Sequence, residues 1–316
     1  MKTYKTPIYI KPHFCIIAVV LVCFMVSCSR SRHRYIEAPQ EEIAENTITI
    51  IGTPDAVSSP NDSIKTDLDG LLIPKFKRTV ANQFLQRIAY VTSYNRETRN
   101  PNWVAWKLTR EHTLGGYSRK GVPYYAEDGT VYGIGEICPE SVKGCYFLDM
   151  ESEEPRQLLT DWSTDYNMSH GHMCPAGDNK WDKAAINQSF LLTNMCPQDQ
   201  KLNSGGWNKL EEKCRTWANQ YGEIYIVAGP IFYNTKQRTL GDILIPDAFF
   251  KVVLCIIGNP KAIGFIYDNN STKQSMKDKV CPVDKVESIV GIDFFSSLDD
   301  NIENEIESKS QFNAWR

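Results

Sequence analysis

The sequence predicts an α+β fold in which a central antiparallel sheet is flanked by helices, one of them long. Six stretches between residues 86 and 269 have the pattern of half-buried strands, and only one long helix pattern, at about 204–221, interrupts them. Two short helix patterns follow near the C-terminus. Strands grouped together, with helices segregated from them, indicate α+β.

The strand candidates alternate apolar and polar residues, as a strand with two different faces does. They are, in chain order, QRIAYVTSYN (86–95), NWVAWKLTRE (102–111), SFLLTNM (189–195), EIYIVAGPIF (223–232), AFFKVVLCII (248–257) and KAIGFIYDN (261–269).

The long helix is predicted from about Ser204 to Tyr221. Its apolar residues recur at the spacing of a single helical face, and Gly222 follows as a stop signal. These residues are Trp207, Leu210, Cys214, Trp217 and Tyr221. The two C-terminal helices are predicted in VDKVESIV (283–290), which Gly291 ends, and in DDNIENEIES (299–308), which begins with acids.

The N-terminal region differs from the rest of the 316-residue chain. Residues 1–28 join a basic start, an apolar run and a small residue before Cys28, which are the parts of an export signal with a lipobox-like end. Residues 29–70 are polar and predict a tether, and residues 71–316 predict one domain. We therefore expect an exported lipoprotein of the bacterial cell envelope, in the periplasm or at the surface, held in the membrane by lipidated Cys28. An uncleaved signal anchor is the alternative.

The net charge limits the function classes. It is −3 for the whole chain, and loss of the three lysines before Cys28 makes it about −6. A protein that coats nucleic acid electrostatically is therefore not expected, whereas an enzyme that contacts phosphate through a metal ion and a few arginines is not excluded.

Seven cysteines follow Cys28, so an exported protein with disulfides would keep at least one thiol. Cys138 and Cys145 bracket a Pro- and Gly-containing turn and are candidates for a hairpin disulfide.

The segment SHGHMCPAGD (169–178) holds two of the five histidines. On a strand, His170, His172 and Cys174 would project from one face, where they could bind zinc as N/N/S ligands. No fourth ligand is evident, and no other zinc motif occurs. The alternatives are that both histidines lie in the core with their hydrogen bonds satisfied, or that one of them is a catalytic base.

A second group of polar residues lies at the long helix. Asn203 precedes the helix, and Glu211 and Arg215 lie on one broad side of it, so an amide, a carboxylate and a guanidinium would converge near the helix start. Oxygen ligands of this kind suit magnesium. The simpler alternatives are a helix N-cap for Asn203 and a solvated i, i+4 ion pair for Glu211 and Arg215.

Taken in order, SHGHMCPAGD, LLTNMCPQ, LNSGGWNKLEEKCR and IYIVAGPIF resemble the DNA/RNA non-specific endonuclease family, the ββα-metal nucleases that include mitochondrial endonuclease G. The resemblance begins near RIAYVTSYN and continues through VDKVESIVGIDFF, so it covers nearly the whole domain. It implies a ββα-metal fold and metal-dependent, sequence- and sugar-nonspecific cleavage of DNA and RNA to 5′-phosphate products. Mg²⁺ is the implied cofactor, with Mn²⁺ as a substitute.

The resemblance also implies residue roles. His172 matches the general base, Asn203 matches the single protein ligand of the magnesium ion, and Glu211 matches a glutamate that holds water on that ion. Arg215 matches an arginine that binds the phosphate, and Asn194 matches a supporting asparagine.

The chain departs from the family before Gly171. The family signature has Asp-Arg where this chain has Ser169 and His170, and His170 replaces the arginine charge only when protonated. A second family arginine has no clean counterpart, and Arg119 is the candidate. We therefore expect a magnesium-dependent endonuclease; a zinc hydrolase and a non-catalytic binding module of the same fold are the alternatives. DNA or RNA preference and oligomeric state stay open.

Overall fold

The structure is a computed structural model that describes residues 71–117, 124–125, 131–132, 146–163, 167–233 and 237–315. All of them belong to one compact unit, Val57–Arg316. The expected signal and tether, Arg119 and the Cys138–Cys145 pairing lie outside the described residues. Among the helices that are described, none combines the length and the apolar character that a membrane span needs.

A seven-stranded antiparallel sheet forms the centre of the fold, with strand order β14-β13-β12-β9-β4-β3-β2. The remaining strands form antiparallel pairs: β1 with β15, β5 with β6, β7 with β8, and β10 with β11. The strand bounds are β1 Lys75–Phe76, β2 Gln83–Gln86, β3 Val91–Asn95, β4 Asn100–Thr109, β5 Tyr124–Tyr125, β6 Val131–Tyr132, β7 Met168–His172, β8 Met195–Asp199, β9 Glu223–Ile231, β10 Arg238–Leu240, β11 Ile243–Ile245, β12 Ala248–Cys255, β13 Lys261–Asp268, β14 Val280–Cys281 and β15 Ile292–Asp293.

Helices cover both faces of this sheet. The α-helices are α1 Lys183–Gln188, α2 Gln200–Leu202, α3 Asn208–Tyr221, α4 Val283–Val290 and α5 Asp300–Glu307, and a π-helical segment, Asn203–Trp207, joins α2 to α3. Short 3₁₀ turns are Glu111–Leu114, Leu159–Ser163, Ala176–Asp178, Leu192–Asn194, Met276–Asp278 and Phe312–Trp315.

The central strands are buried on both sides because their side chains alternate between two cores. On β12, Phe249 and Val253 pack under α3, whereas Phe250 and Val252 pack with α4 on the opposite face. The side chain of Lys251 projects to the same face as Phe249, because its Nζ lies over the Trp207 ring. Burial of two apolar faces by helices explains the continuous apolar runs of these strands.

The α+β prediction is confirmed, and five of the six strand candidates contain strands of the central sheet. The candidate at 189–195 is wrong as a strand. Residues Leu192–Asn194 form a 3₁₀ turn, and the strand begins only at Met195. The turn is held by the buried side chain of Asn194, which donates to the backbone carbonyls of Cys174 and Ser189 at 2.8 Å each. These two bonds tie Asn194 to two earlier positions of the chain and hold residues 192–194 in a turn instead of a strand ladder.

The long helix also begins earlier than predicted. Asp199 caps it by accepting hydrogen bonds from the amides of Lys201 and Leu202, so Asn203 lies one turn inside and is not the N-cap. The predicted end is confirmed, because Gly222 follows Tyr221 with φ +97°. Gly291, with φ +70°, ends α4 as expected.

Candidate active site

A surface cavity of about 320 Å³ lies between β7, the turn after it and the N-terminal half of the long helix. Most of the residues singled out from the sequence line it. The lining residues are Tyr146, His170, His172, Pro175, Ala176, Gly177, Lys180, Ile186, Asn203, Ser204, Asn208, Glu211 and Arg215.

The histidines project into the cavity from β7, which pairs with β8. β7 pairs with β8 so that His170 lies opposite Pro197 and His172 lies opposite Met195. Gly171, between the histidines, faces the other way, and a Cβ there would lie 2.5 Å from Cβ of Gln198. Glycine at 171 therefore lets β7 pair closely with β8 while both histidines share one face.

Asn194 supports the turn that follows His172. Its amide oxygen accepts the backbone N–H of Cys174 at 2.9 Å, and its amide nitrogen donates to the carbonyl of the same residue at 2.8 Å. The side chain is fully buried and does not line the cavity. Asn194 thus shapes the loop beside the histidines rather than touching a substrate.

His170 is sandwiched between two aromatic rings. Tyr146 stacks on one face of the imidazole at a centroid distance of 3.7 Å, and Trp162 stacks on the other at 3.8 Å. Burial lowers the pKa of His170 to about 4. The imidazole is therefore neutral at pH 7, so the condition under which His170 would replace the missing arginine charge is not met at this pH.

The stack predicts a pH effect on stability. His170 has a folded-state pKa of about 4 against an ordinary value near 6.5, so between these values the unfolded chain binds a proton that the folded chain does not. The unfolding free energy that this difference in proton binding contributes is fully present above pH 6.5 and is lost as the pH falls through 4. We expect His170→Phe to lose less unfolding free energy than wild type between pH 7 and 4.5 in urea titrations. Equal losses would contradict the assignment.

The zinc alternative does not fit this geometry. Cys174 lies beyond the end of β7 and is fully buried, and its sulfur accepts a hydrogen bond from the Asn179 amide at 3.3 Å. Among the described residues, His170, His172 and Cys174 do not bring three ligand atoms within metal-binding distance of one another. Burial also holds the pKa of the Cys174 thiol well above its usual range, which disfavours a thiolate.

Asn203 and Glu211 face the cavity from the π-segment and from α3. The side chain of Asn203 makes no hydrogen bond to any residue that the structure describes, so its amide oxygen is available to a cation or to water. Burial raises the pKa of Glu211 to about 7, and Lys251 is the charge that opposes this rise most.

Arg215 forms an ion pair with Asp178 and not with Glu211, so the simple i, i+4 interpretation is wrong. Its Nη1 donates to Asp178 Oδ1 at 2.8 Å, and Asp178 Oδ2 accepts the indole N–H of Trp106 at 3.1 Å. A Cβ on Gly177 would lie 2.8 Å from Arg215 Nη1. The glycine thus gives the guanidinium room against the turn, at the edge of the cavity.

Sequence reasoning missed three charged residues at this site: Asp178, Lys180 and Lys251. Lys180 is exposed and lines the cavity. Lys251 is fully buried on β12, its Nζ lies 4.4 Å from the ring centroid of Trp207 and 5.3 Å from that of Trp106, and it has no hydrogen-bond partner within the described residues. A lysine inside an apolar strand was the available sequence signal.

Lys251 is expected to favour the ionised form of Glu211. In Lys251→Met the rings keep a similar packing partner, but the positive charge that lowers the pKa of Glu211 is lost. That pKa should rise further, so the acidic limb of a pH–rate profile should move to higher pH while thermal stability is kept. Lys261→Met, which removes a lysine 3.8 Å from the Tyr221 ring centroid and outside the cavity, is the matched control. Superimposable profiles of Lys251→Met and wild type would contradict this role.

The donor set suits a hard cation. An amide oxygen and a carboxylate, Asn203 and Glu211, line a cavity that is open to water, and no cysteine lines it. Mg²⁺ prefers oxygen ligands, keeps several waters and needs few protein groups. The described residues therefore fit a magnesium ion better than zinc.

Comparison with known proteins places these features in context. A family model described as DNA/RNA non-specific endonuclease matches residues 69–301. Nuclease C1 of Cunninghamella echinulata var. echinulata is 31% identical over 234 residues, which cover 69% of this chain and 85% of that protein. A nuclease of Nostoc sp. is 28% identical over 245 residues, covering 74% and 80% of the two chains.

Two further proteins are similar to this chain, one in sequence and one in fold. Human mitochondrial nuclease EXOG is 26% identical over 234 residues, which cover 66% of this chain and 56% of that protein. The EndoG/EndoGI complex, solved in a study of EndoG inhibition, contains a chain with a TM-score of 0.58 and 20% identity. The match covers 77% of this chain and 94% of that chain. At this identity the similarity shows a shared fold.

Proposed function

The chain belongs to the DNA/RNA non-specific endonuclease family and is an endonuclease, and from this premise we propose that it hydrolyses phosphodiester bonds in DNA and RNA with Mg²⁺ and His172. The observation that carries the proposal is that His172, Asn203, Glu211 and Arg215 line one cavity, although His172 comes from strand β7 and the other three come from the long helix. Because the chain is an endonuclease, the alternative of a non-catalytic binding module is set aside.

His172 is the general base. It projects from the end of β7 into the cavity, edge-on to Phe190 at a centroid distance of 5.1 Å, and its backbone carbonyl accepts the indole N–H of Trp207 at 3.3 Å. In this position the neutral imidazole takes the proton of an attacking water, whose oxygen then attacks phosphorus in line with the 3′-oxygen of the leaving group. The products carry 5′-phosphates.

Arg215 binds the phosphate. Its guanidinium has a fixed orientation because one nitrogen is bonded to Asp178, and the other donors are available to a non-bridging phosphate oxygen. The fixed positive charge offsets the negative charge that builds up around phosphorus. With His170 neutral, Arg215 and Lys180 are the cations that line the cavity in the described part of the chain.

Asn203 would hold the magnesium ion through its amide oxygen, with Glu211 accepting hydrogen bonds from water beside it. A magnesium ion so held supplies stabilisation of the charge that develops on the phosphate and on the leaving oxygen. Mn²⁺ offers the same oxygen preference and substitutes for it.

The substrate is nucleic acid without regard to sequence. The general base, the arginine and the metal ligand all act on the phosphodiester group, which every nucleotide contains. The enzyme therefore does not need to contact the edges of the nucleobases. Neither the sugar 2′-position nor the base enters the proposed chemistry, and both DNA and RNA are substrates.

We place the enzyme outside the cytoplasm, at the bacterial cell envelope. The support for this is sequence alone: the basic, apolar and small residues of 1–28 and the polar stretch 29–70. Lipidated Cys28 would hold the catalytic unit near the membrane on a tether.

The full chain is tested with circular plasmid and with RNA, in Mg²⁺, in Zn²⁺ and in EDTA. We expect both nucleic acids to be cut in Mg²⁺ and neither in EDTA, and nicked DNA to be religated without prior phosphorylation because its ends carry 5′-phosphates. Cleavage that requires zinc, or ends that need phosphorylation before ligation, would contradict the proposal.

A further inference from the structure

Three carboxylates converge outside the catalytic cavity, on the opposite face of the central sheet. Asp284 and Glu287 lie on α4 and Glu307 lies at the end of α5, and one oxygen of each is within 4.8 Å of the others. α4 packs closely on the sheet, since a Cβ on Gly264 of β13 would lie 3.0 Å from the Val286 side chain. The three acids thus join two helices that cover the face away from α3.

Glu307 is the acid of this cluster with a buried oxygen that lacks a hydrogen-bond donor among the described residues. The residue is 1% exposed, and its Oε1 has no hydrogen-bond partner among the described residues. A buried carboxylate oxygen without a donor is costly, and such groups are normally paired, protonated or bound to a metal ion.

The neighbouring positive charge is already shared. Lys77 donates to Glu287 Oε2 at 2.9 Å and lies 3.2 Å from Asp293 Oδ1, and the backbone N–H of Phe294 donates to Glu287 Oε1 at 2.7 Å. One lysine against these acids leaves the cluster with excess negative charge.

We propose that Asp284, Glu287 and Glu307 bind a calcium ion that links α4 to α5. For three atoms no more than 4.8 Å apart there is always a point within about 2.8 Å of all three, and an ion placed there reaches Ca–O distances of about 2.3–2.6 Å after small side-chain shifts. All three ligands are carboxylate oxygens, and exposed Asp284 leaves an entry path and room for the waters that complete calcium coordination. The site is independent of the nuclease reaction, because none of its residues lines the catalytic cavity.

The test uses the full chain carrying Asn203→Ala, so that the catalytic cavity contributes as little as possible to calcium binding. Thermal unfolding is measured at pH 7.5 in EDTA and in 10 mM CaCl₂, and calcium binding is measured by titration calorimetry. For a site of millimolar affinity or better we expect the Tm to rise by about 3 °C or more in calcium. Adding Glu307→Gln should abolish both the shift and the binding heat, whereas Glu305→Gln, an exposed acid two residues earlier on α5, should keep them.

Three results would overturn the proposal: no calcium shift in the Asn203→Ala parent, an equal shift with Glu307→Gln, or loss of the shift in the Glu305→Gln control. If calcium does not change the Tm of the Asn203→Ala parent, and the protein that also carries Glu307→Gln has the same or a higher Tm in EDTA, the cluster holds a shared proton instead. Glutamine mimics the protonated acid. Plasmid cleavage by wild type is measured separately, so a failure of the nuclease proposal is distinguishable from a failure of this one.

Discussion

Replacement of His172 by Ala should lower the rate of phosphodiester cleavage by about 10²- to 10⁴-fold while the fold is retained. The size of the effect follows from the loss of proton transfer in the transition state, which is what a positioned general base contributes. Substrate binding should change little, because Arg215 and its ion pair with Asp178 are untouched. The measurement is a single-turnover rate on a labelled duplex, with circular dichroism to establish folding.

His112→Ala is the matched control for this variant. His112 is a partly buried histidine that stacks on Trp181 at 4.5 Å and does not line the cavity. It should cleave at nearly the wild-type rate. If His172→Ala retained a rate within a few-fold of wild type, or if His112→Ala lost as much, His172 would not be the base.

Replacement of Asn203 by Ala should raise the magnesium concentration needed for half-maximal activity by about tenfold or more, which corresponds to roughly 1.4 kcal/mol of lost ion binding. The reason is that its amide oxygen would be the protein ligand of the ion, and alanine offers none. Initial rates over a magnesium titration measure the effect, and saturating magnesium should restore part of the rate.

Asn208→Ala serves as the control for the Asn203 variant. Asn208 lies five residues further along the same helix and lines the same cavity, but its amide donates to Glu212 at 2.9 Å. Its magnesium titration should coincide with that of wild type. An unchanged titration for Asn203→Ala, or the same displacement for Asn208→Ala, would remove Asn203 as the metal ligand.

The sheet and the long helix were predictable because each has a local pattern. Apolar-rich runs marked β4 and β9 as strands, but the expectation that they are half-buried was wrong, because their side chains enter cores on both faces of the sheet. The Trp207–Tyr221 stripe with Gly222 marked α3 and its end. The helix start was missed because a π-helical segment extends the helix back to the cap at Asp199. Such a segment breaks the 3.6-residue period on which the prediction relied.

The contacts that set the electrostatics of the site could not be predicted. His170 is kept neutral by its burial in a stack with Tyr146 and Trp162, which come from separate segments of the chain. The ion-pair partner of Arg215 is Asp178, which lies 37 residues away in the sequence. Both contacts are tertiary, so no spacing rule within one element could predict them. The residues that face the substrate could be predicted, because the order of their motifs along the chain matches that of a known family.

The central claim is that a metal ion and His172 act together in one cavity on the phosphodiester bond. The most direct test is the conversion of supercoiled plasmid to nicked and linear forms by wild type and by His172→Ala, each in Mg²⁺ and in EDTA. We expect cleavage by wild type in Mg²⁺ and none, or a trace, in the other three reactions. Cleavage by wild type in EDTA, or equal cleavage by the two proteins in Mg²⁺, would contradict the claim.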